Sequence, residues 1–172
     1  MIIRKCTEED LPAVGRFYDG VVKYLCEHIN YPLWVYRVYP SEDSAREMIR
    51  EGSQFICLEG DRIVGTFVLN DDPGGTYEDA AWEKELPPGA YMVCHALASA
   101  ADLRGRGIGK KMVQFCIDYA KDHGYRAVRL DVVPTNIPAR RLYESCGFRY
   151  AGDVDLKRDI GIPLFSMYEL NF

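Results

Sequence analysis

The sequence predicts a single α/β domain over residues 1–172, in which helices flank a mixed β-sheet. Its 172 residues are enough for one domain with a sizeable core, and its 48% hydrophobic and 27% charged residues are typical of a globular protein. Apolar residues repeat with the period of a strand in some segments and of a helix in others. Because the two kinds of segment alternate along the chain, an α/β fold is favoured.

The first half of the chain has the element order β-α-α-β-β. Thr7 followed by three acidic residues is typical of a helix start, because a side-chain oxygen caps the first amides and acids suit the helix dipole. A Gly-Asp pair between two apolar runs is typical of a hairpin. The predicted elements are a strand over 1–6, a helix from Thr7 to about Glu27, a short helix from Ser41 to near Gly52, and two strands within 54–70.

The second half adds the order β-α-β-α-β-β. Asn136 is predicted to cap the last helix, with Pro138 in its first turn and Gly147 just past its end. The predicted elements are a strand over 90–99, a helix that ends at His123, a strand over 126–133, the helix after Asn136, and strands over 148–154 and 162–172.

Charge and cysteine content exclude several classes of protein. A net charge of −5 argues against general binding to nucleic acid or to an anionic membrane. No stretch approaches the ~20 apolar residues that cross a bilayer, and the first residues lack the apolar core of a signal peptide. Six scattered cysteines without a CxxC pair predict a reduced, cytoplasmic protein without a structural metal.

The acidic residues concentrate in the segment 70–90, which we call the acidic loop. It contains six acidic residues and one lysine, so it accounts for the whole net charge of the chain. Its proline and glycine content predicts a long connection between strands, with one short helical turn. Such a loop is either functional or a solvated surface loop, and the sequence leaves both interpretations open.

The segment Leu103–Val113, LRGRGIGKKMV, combines three glycines with four basic residues after an apolar strand. It lacks the G-x-x-x-x-G-K-[ST] pattern of a nucleotide phosphate loop and the G-x-G-x-x-G pattern of a dinucleotide site. A strand that turns on glycines into a helix nevertheless presents free amides at the positive end of the helix dipole. We therefore predict an anion site that suits a pyrophosphate; a glycine-rich helix start with solvated basic residues is the alternative.

Two motifs resemble those of a known family. Arg104-x-x-Gly107-x-Gly109 is similar to the R/Q-x-x-G-x-G/A motif of the GCN5-related N-acetyltransferase (GNAT) superfamily. The segment 136–148, NIPARRLYESCGF, is similar to that family's N-x-x-A-x-x-L-Y-x-x-x-G-F segment. Together with the element order, the resemblance covers nearly the entire chain. It implies the GNAT fold: a mixed, largely antiparallel twisted sheet of six to seven strands with about four flanking helices.

The same resemblance implies acetyl-coenzyme A (acetyl-CoA) as co-substrate and no metal. It assigns the pyrophosphate to the glycine turn, at Arg104, Gly105, Arg106, Gly107, Ile108, Gly109 and Lys110. It assigns the pantetheine and the thioester carbonyl to freed backbone groups of the fourth strand, at Leu97, Ala98 and Ser99, where LAS replaces the commoner LAV. The second motif adds Asn136, Ala139 and Tyr143.

Acetyl transfer to an amine needs a base for the amine, a donor for the oxyanion and an acid for the leaving thiolate. Tyr143 matches the family's general acid, because a phenol stays protonated at neutral pH; packing in the core is the alternative. His95 is the candidate base, since CHALAS resembles the LHALAV of the arylalkylamine N-acetyltransferases. Val93 replaces a second histidine of those enzymes, and a buried neutral histidine is the alternative role of His95.

The acidic loop offers alternative bases, and the two other histidines have expected positions. If His95 is not the base, a carboxylate of the acidic loop could take the proton through water, at Glu78, Asp79 or Glu83. A base with the pKa of an ordinary imidazole would give an activity limb near pH ~6–7. The two other histidines, His28 and His123, are expected to be solvated or at helix ends.

The resemblance implies that the acceptor enters opposite the cofactor, between the first two helices, the acidic loop before the fourth strand and the last hairpin. The aromatics there suit a cationic amine, although any one of them can equally pack in the core: Tyr31, Trp34, Tyr36, Tyr39 and Trp82. The predicted function is acetyl transfer from acetyl-CoA to a primary amine of a small molecule. The alternatives are a protein or peptide N-terminal or lysine acetyltransferase, and a non-catalytic acyl-CoA sensor. A homodimer is left open.

Overall fold

The structure is a computed structural model that describes all residues from Met1 to Phe172. Strands and α-helices follow one another in the predicted order β-α-α-β-β-β-α-β-α-β-β. The strands are β1 Ile2–Lys5, β2 Gln54–Glu59, β3 Arg62–Asn70, β4 Met92–Ser99, β5 Ala127–Val132, β6 Arg149–Val154 and β7 Phe165–Asn171. The helices are α1 Leu11–Glu27, α2 Glu42–Arg50, α3 Ile108–Asp122 and α4 Ile137–Ser145.

The predicted helix start at Thr7 is confirmed, although the first turn is a 3₁₀ turn rather than an α-helical one. Thr7 precedes a 3₁₀ turn, Glu8–Asp10, and the α-helix itself begins at Leu11. The side chain of Asp10 accounts for this, because its carboxylate accepts the backbone N–H of Thr7 at 2.8 Å and forms an ion pair with Arg4 at 2.7 Å. These contacts close a tight turn around Asp10 before the helix can propagate.

The two other predicted caps are confirmed. The Ser41 hydroxyl accepts the backbone N–H of Ser44 at 3.3 Å, at the start of α2. The Asn136 side-chain oxygen accepts the backbone N–H of Ala139 at 3.3 Å, at the start of α4. In each case a short polar side chain satisfies an amide that the first turn of a helix leaves without a partner.

The seven strands form a sheet with the order β1-β2-β3-β4-β5-β7-β6. The pairs β1–β2, β2–β3, β5–β7 and β6–β7 are antiparallel, whereas β4 and β5 pair in parallel. A parallel pair needs a crossover connection, which the segment containing α3 supplies. The predicted mixed, largely antiparallel sheet of six to seven strands with about four helices is confirmed.

One compact unit of the chain comprises Met1–Leu69 and Ala96–Met112. Its core forms where the apolar faces of α1 and α2 meet β2, because α1 places apolar residues at helical spacing. Gly15 lets the two helices approach closely, since a Cβ there would lie 2.7 Å from a carboxylate oxygen of Glu42. The buried residues of this core include Leu11, Val14, Tyr18, Val21, Leu25, Ala45, Ile49 and Ile56.

The other compact unit comprises Asn70–His95 and Val113–Phe172. Its core includes the acidic loop, which contributes a buried Tyr77 and a partly buried Trp82. The predicted helical turn in this loop is present as the 3₁₀ turn Tyr77–Asp79. The loop is therefore anchored by its aromatic residues, while its carboxylates at Glu78, Asp79 and Glu83 remain at the surface.

No helix combines the length and the apolar composition needed to span a membrane. No group of three or more His, Cys, Asp or Glu side chains is arranged to hold a metal ion. All six cysteines are free thiols, and Cys94 and Cys116 are buried with their sulfur atoms 3.9 Å apart.

Candidate active site

The glycine turn has the geometry of an anion cradle. Gly105 and Gly107 have positive φ angles of 79° and 76°, and α3 starts directly after them at Ile108. The first helical hydrogen bond runs from the N–H of Lys111 to the carbonyl oxygen of Gly107 at 3.1 Å, so the amides of the preceding helix residues have no acceptor within the helix. A Cβ at either glycine would meet no atom within 4 Å. We call residues 104–110 the phosphate turn.

The basic side chains of the phosphate turn make weak surface contacts. The Arg104 guanidinium lies 4.8 Å from the centre of the Tyr24 ring, and Arg106 contacts Glu59 at 3.4 Å with both side chains more than half exposed. Lys110 is exposed, whereas Ile108 is buried and fixes the turn to the protein. Exposed pairs of this kind contribute less than about 1 kcal/mol, so both arginines can reorient toward an anion.

The second half of β4 contains the residues for which the sequence predicts freed backbone groups. In its first half, β4 pairs with β5 through Met92 with Val128 and Val93 with Arg129. Ala96 then has a positive φ of 48°, which is uncommon for a residue with a side chain and marks an irregularity in β4. The three residues that follow are Leu97, Ala98 and Ser99, of which Ala98 is buried and the others are half-buried.

Gly65 of β3 was not singled out by the sequence analysis, although it shapes this part of the first unit. A Cβ at Gly65 would lie 2.5 Å from the sulfur of Met112 and 3.1 Å from the carbonyl oxygen of Ala98. The missing side chain therefore lets α3 lie close to the strand. A glycine inside an apolar strand is the signal that could have identified this close approach.

His95 is half-buried, and a single hydrogen bond fixes its tautomer. Its Nε2 lies 2.9 Å from the carbonyl oxygen of Asp72. Because a carbonyl oxygen can only accept, Nε2 carries the proton, and Nδ1 of the neutral ring keeps its lone pair. Burial lowers the pKa of His95 below its usual 6.5, more than Asp131 and the Asp72 hydrogen bond raise it. The imidazole is therefore mostly neutral at pH 7.

Tyr143 is buried in α4, with its ring 6.0 Å from that of Phe148 and 6.3 Å from that of Tyr168. Burial raises the pKa of its phenol well above the usual 10, and the nearby thiols of Cys94 and Cys116 add to the effect. The hydroxyl is therefore neutral across the physiological range and can donate a proton. Asn136 and Ala139 lie at the start of the same helix, where they form its cap.

A half-buried carboxylate whose charge acts on His95 is the main feature that the sequence analysis missed. Asp131 accepts the Tyr77 hydroxyl at 2.6 Å and a two-point ion pair from Arg158 at 2.8 and 3.0 Å. Its charge raises the pKa of His95, and the charge of Arg158 lowers it. The signal was available, because an aspartate inside the apolar strand RAVRLDVV is almost always paired.

A second buried ion pair holds the far end of the acidic loop. Glu169 is 1% exposed and accepts Arg149 at 2.6 Å and the backbone N–H of Glu83 at 2.6 Å. Arg129 is 2% exposed, lies 4.1 Å from the centre of the Trp82 ring and donates to the Lys84 carbonyl oxygen at 2.8 Å. One face of Trp82 is thus covered by a guanidinium, which is the packing role that the sequence had left open for this residue.

The aromatic connection between α1 and α2 is partly ordered by its own contacts. Asn30 donates to the carbonyl oxygen of Trp34 at 2.7 Å and accepts its N–H at 3.1 Å, and the Trp34 ring packs against the core of the first unit. Tyr36 and Tyr39 are 38% and 46% exposed. Trp34 therefore packs, whereas Tyr36 and Tyr39 lie at the surface.

His28 and His123 lie at helix ends, as predicted. Each ring stacks on a tyrosine one helical turn earlier, at 4.0 Å from Tyr24 and 3.8 Å from Tyr119. Each Nδ1 also bonds the carbonyl oxygen of that tyrosine, at 2.9 and 2.8 Å. Local contacts account for both histidines.

Comparison with protein families identifies the family of the chain. The profile of the acetyltransferase (GNAT) family matches residues 24–148 of the chain. The chain belongs to the GNAT family. The match includes the phosphate turn and the whole of the second motif, so the resemblance inferred from those residues is confirmed.

Relatives of this GNAT chain include an aminoglycoside acetyltransferase and a kanamycin resistance protein. An aminoglycoside N(6′)-acetyltransferase type 1 of Klebsiella pneumoniae is 35% identical over 96 residues, which cover 51% of this chain and 47% of that protein. A kanamycin resistance protein of Rhizobium radiobacter is 35% identical over 74 residues, which cover 42% of this chain and 68% of that protein. The chain spans about half the length of the curated relatives it matches.

Solved structures share the fold over nearly the full length. A GNAT acetyltransferase from Streptococcus agalactiae has a TM-score of 0.80 at 17% identity and covers 99% of this chain and 95% of its own. An acetyltransferase from Salmonella typhimurium, solved with its cofactor acetyl-CoA, has a TM-score of 0.70 at 18% identity and covers 99% of this chain and 93% of its own. At these identities the likeness shows the fold alone.

Proposed function

We propose that this GNAT protein moves an acetyl group from acetyl-CoA to a primary amine of a small molecule. The observation that carries the proposal is the phosphate turn, where two glycines in the left-handed region lead into the N-terminus of α3 and leave open space. Amides at such a helix start bind phosphate groups. The family match supports the proposal, as does a solved structure of the same fold that holds acetyl-CoA.

The cofactor residues implied by the motifs keep their assignments in this proposal. The amides and basic side chains of the phosphate turn would neutralise the pyrophosphate, which carries negative charge on both phosphates. The backbone of Leu97, Ala98 and Ser99, in the second half of β4, would bind the pantetheine and polarise the thioester carbonyl. Asn136 and Ala139 would act by starting α4 at the correct position for Tyr143.

The amine must lose a proton before it can attack, because its reference pKa of about 10 keeps it mostly protonated at pH 7. We assign the base to His95, whose Nδ1 keeps a lone pair while Nε2 donates to the Asp72 carbonyl oxygen. The neutral state of the ring at pH 7 supports this role. The proton passes from the amine, directly or through water, to Nδ1.

The neutral amine then attacks the thioester carbonyl carbon, and the C–S bond breaks as the tetrahedral intermediate collapses. The sulfur leaves as a thiolate and takes a proton from the Tyr143 hydroxyl. The acetylated nitrogen gives up its extra proton, directly or through water, to the Tyr143 phenolate, which restores the phenol. The raised pKa of Tyr143 supports its role as an acid, because the phenol keeps its proton until the thiolate forms. The products are the acetylated amine and free coenzyme A.

The acceptor class is inferred from charge and from the named relatives. The acidic loop supplies surface carboxylates, and negative charge of this kind attracts a cationic amine. The relatives named as aminoglycoside N(6′)-acetyltransferases support a small molecule that carries amino groups. A peptide or protein amine is the second candidate, and acceptor competition distinguishes the two.

The free thiols support a reducing, cytoplasmic setting for this reaction. Cys94 and Cys116 are buried with their sulfur atoms 3.9 Å apart and are not joined. Disulfides form readily in oxidising compartments and rarely in the cytosol. We therefore place the enzyme in the cytoplasm.

The proposed function is tested by measuring free thiol released from acetyl-CoA in the presence of a panel of amines. The panel contains aminoglycosides, polyamines, arylalkylamines, and peptides with a free N-terminus or a lysine. We expect turnover with a small cationic amine and slower turnover with peptides. Tight binding of acetyl-CoA without thiol release across the panel would instead identify an acyl-CoA sensor.

Replacement of His95 by glutamine is expected to remove a pH-dependent limb of activity. In the wild type, kcat/KM for the acceptor should rise through a pKa below 6.5 and then level off, because burial lowers the pKa of this imidazole. His95→Gln keeps size and polarity but cannot titrate, so the limb should vanish and the rate at pH 7 should fall about 100-fold or more. Initial rates between pH 5 and 8, in a buffer of constant ionic strength, measure both effects.

The acidic loop provides the matched control for this assignment. Replacement of Glu78, Asp79 and Glu83 together by their amides should raise the KM of a cationic acceptor, most at low salt, and leave kcat and the affinity for acetyl-CoA unchanged. If the amide variant loses the pH limb while His95→Gln keeps it, the base belongs to the loop.

A further inference from the structure

Arg158, in the connection between β6 and β7, joins two other segments of the second unit through one guanidinium. Its Nη1 and Nη2 donate to Oδ1 and Oδ2 of Asp131 in β5, at 2.8 and 3.0 Å. Its Nε and Nη2 also donate to the carbonyl oxygens of Gly74 and Pro73 in the acidic loop, at 2.8 Å each. Only arginine has the planar set of donors that this arrangement needs.

Neighbouring contacts hold the same part of the acidic loop. The Tyr77 hydroxyl donates to Oδ2 of Asp131 at 2.6 Å, so the loop meets the ion pair on both sides. Gly75 lies against the segment that leads to Arg158, since a Cβ there would be 2.7 Å from the carbonyl oxygen of Leu156. Residues 73–77 are therefore fixed at several points around one charged pair.

This fixed segment begins one residue after the group that contacts His95. The Asp72 carbonyl oxygen accepts Nε2–H of His95 at 2.9 Å, and Oδ1 of Asp72 accepts the N–H of Gly74 at 2.8 Å. The carbonyl of Asp72 is thus part of a tight turn whose next two carbonyls are bonded to Arg158. A change in those bonds would move the acceptor that selects the tautomer of His95.

We propose that Arg158 is a positioning residue for His95: it fixes the Asp72 carbonyl, which keeps the imidazole proton on Nε2 and leaves Nδ1 as the basic nitrogen. This inference rests on the proposed role of His95 in acetyl transfer. Arg158 does not touch the reacting atoms; it acts through the loop. Its second effect is electrostatic, because it neutralises Asp131 beside the imidazole.

The charges around His95 determine how the removal of Arg158 changes the pKa of the imidazole. The groups that face the ring are Asp131 on β5, Asp72 on the loop and Arg158 itself; Asp131 raises the pKa of His95 and Arg158 lowers it. Without Arg158 the carboxylate of Asp131 is uncompensated, so the pKa of His95 should rise. The loss of the two loop hydrogen bonds should at the same time let the proton of His95 occupy either ring nitrogen.

NMR of ¹⁵N-histidine-labelled protein tests both effects without turnover, since the chain has only three histidines. His28 and His123 serve as internal references because each is held by its own helix. We expect wild-type His95 to be an Nε2–H tautomer, and Arg158→Met to give mixed tautomers, a raised pKa and a kcat/KM reduced about tenfold. The double variant Asp131→Asn, Arg158→Met should lower the pKa again while the tautomers stay mixed.

Arg149→Met is the matched control, because Arg149 contacts the other end of the same loop at the Ala81 carbonyl oxygen. It should leave the His95 signals unchanged. If Arg158→Met does not fold, Arg158→Lys replaces it as the test variant, because lysine keeps the charge. It should give mixed tautomers of His95 without raising the pKa of His95.

An Nδ1–H tautomer in the wild type, or unchanged His95 signals in a folded Arg158 variant, would overturn the proposal. If the spectra change as expected but His95→Gln keeps full activity, the positioning of the ring stands and the base assignment fails.

Discussion

Gly107→Glu is expected to weaken the binding of acetyl-CoA more than about 100-fold while the protein remains folded. The new side chain would occupy the open space at the phosphate turn and would place a carboxylate where the pyrophosphate binds. Two negative charges placed side by side weaken binding by several kcal/mol. A loss of about 2.8 kcal/mol is already a 100-fold change in Kd. Isothermal titration calorimetry with acetyl-CoA measures the affinity, and circular dichroism reports the fold.

Two control variants separate charge from backbone strain. Gly107 has a φ of 76°, where a residue with a side chain costs about 1–2 kcal/mol, so part of any effect is strain. Gly107→Gln shares the strain and the bulk without the charge, and it should bind acetyl-CoA more tightly than Gly107→Glu by a margin that shrinks in high salt. Gly124→Glu has the same strain, with a φ of 79°, at the other end of α3 and should bind normally. Equal affinities for Gly107→Glu and Gly124→Glu would show that the turn is not the anion site.

Most helices and strands could be predicted from the sequence, because the sequence signals that mark their ends and faces are local. Caps at Ser41 and Asn136, the glycines of the turns and the alternation of apolar residues depend on neighbours within a few positions. The 3₁₀ geometry of the turn before α1 was not predicted, because it depends on a contact outside the helix. A competing contact, the ion pair of Asp10 with Arg4, tightens the first turn, and Arg4 lies in the preceding strand.

The site was predicted only as far as its motifs extend. The phosphate turn is a continuous segment, so its residues could be read directly from the sequence. The surroundings of His95 could not, because Asp72, Asp131 and Arg158 come from three separate segments that only the folded sheet brings together. The lowered pKa of His95 follows from that assembly and from burial, and neither is visible in the six letters CHALAS.

The second large effect is expected at Tyr143, where the packing of the ring and the role of the hydroxyl as an acid can be tested separately. Its ring contacts Phe148 and Tyr168, so a phenylalanine at this position preserves the packing. Its hydroxyl has a pKa well above 10 because burial disfavours the phenolate. A group whose pKa is raised stays protonated as pH increases, so Tyr143 should produce no alkaline limb below about pH 10.

Tyr143→Phe is therefore expected to leave the Kd for acetyl-CoA unchanged and to lower kcat roughly 10- to 10³-fold, the loss typical of a general acid. Single-turnover measurements establish that the chemical step is being observed. Tyr168→Phe is the matched control: it removes a buried phenol hydroxyl that bonds Arg140 and Glu144 at 3.0 and 2.8 Å. It should lower the stability by about 1–2 kcal/mol and keep kcat within about threefold. If Tyr143→Phe keeps kcat within twofold while chemistry limits the rate, Tyr143 serves only to pack α4, and the thiolate must take its proton from another donor.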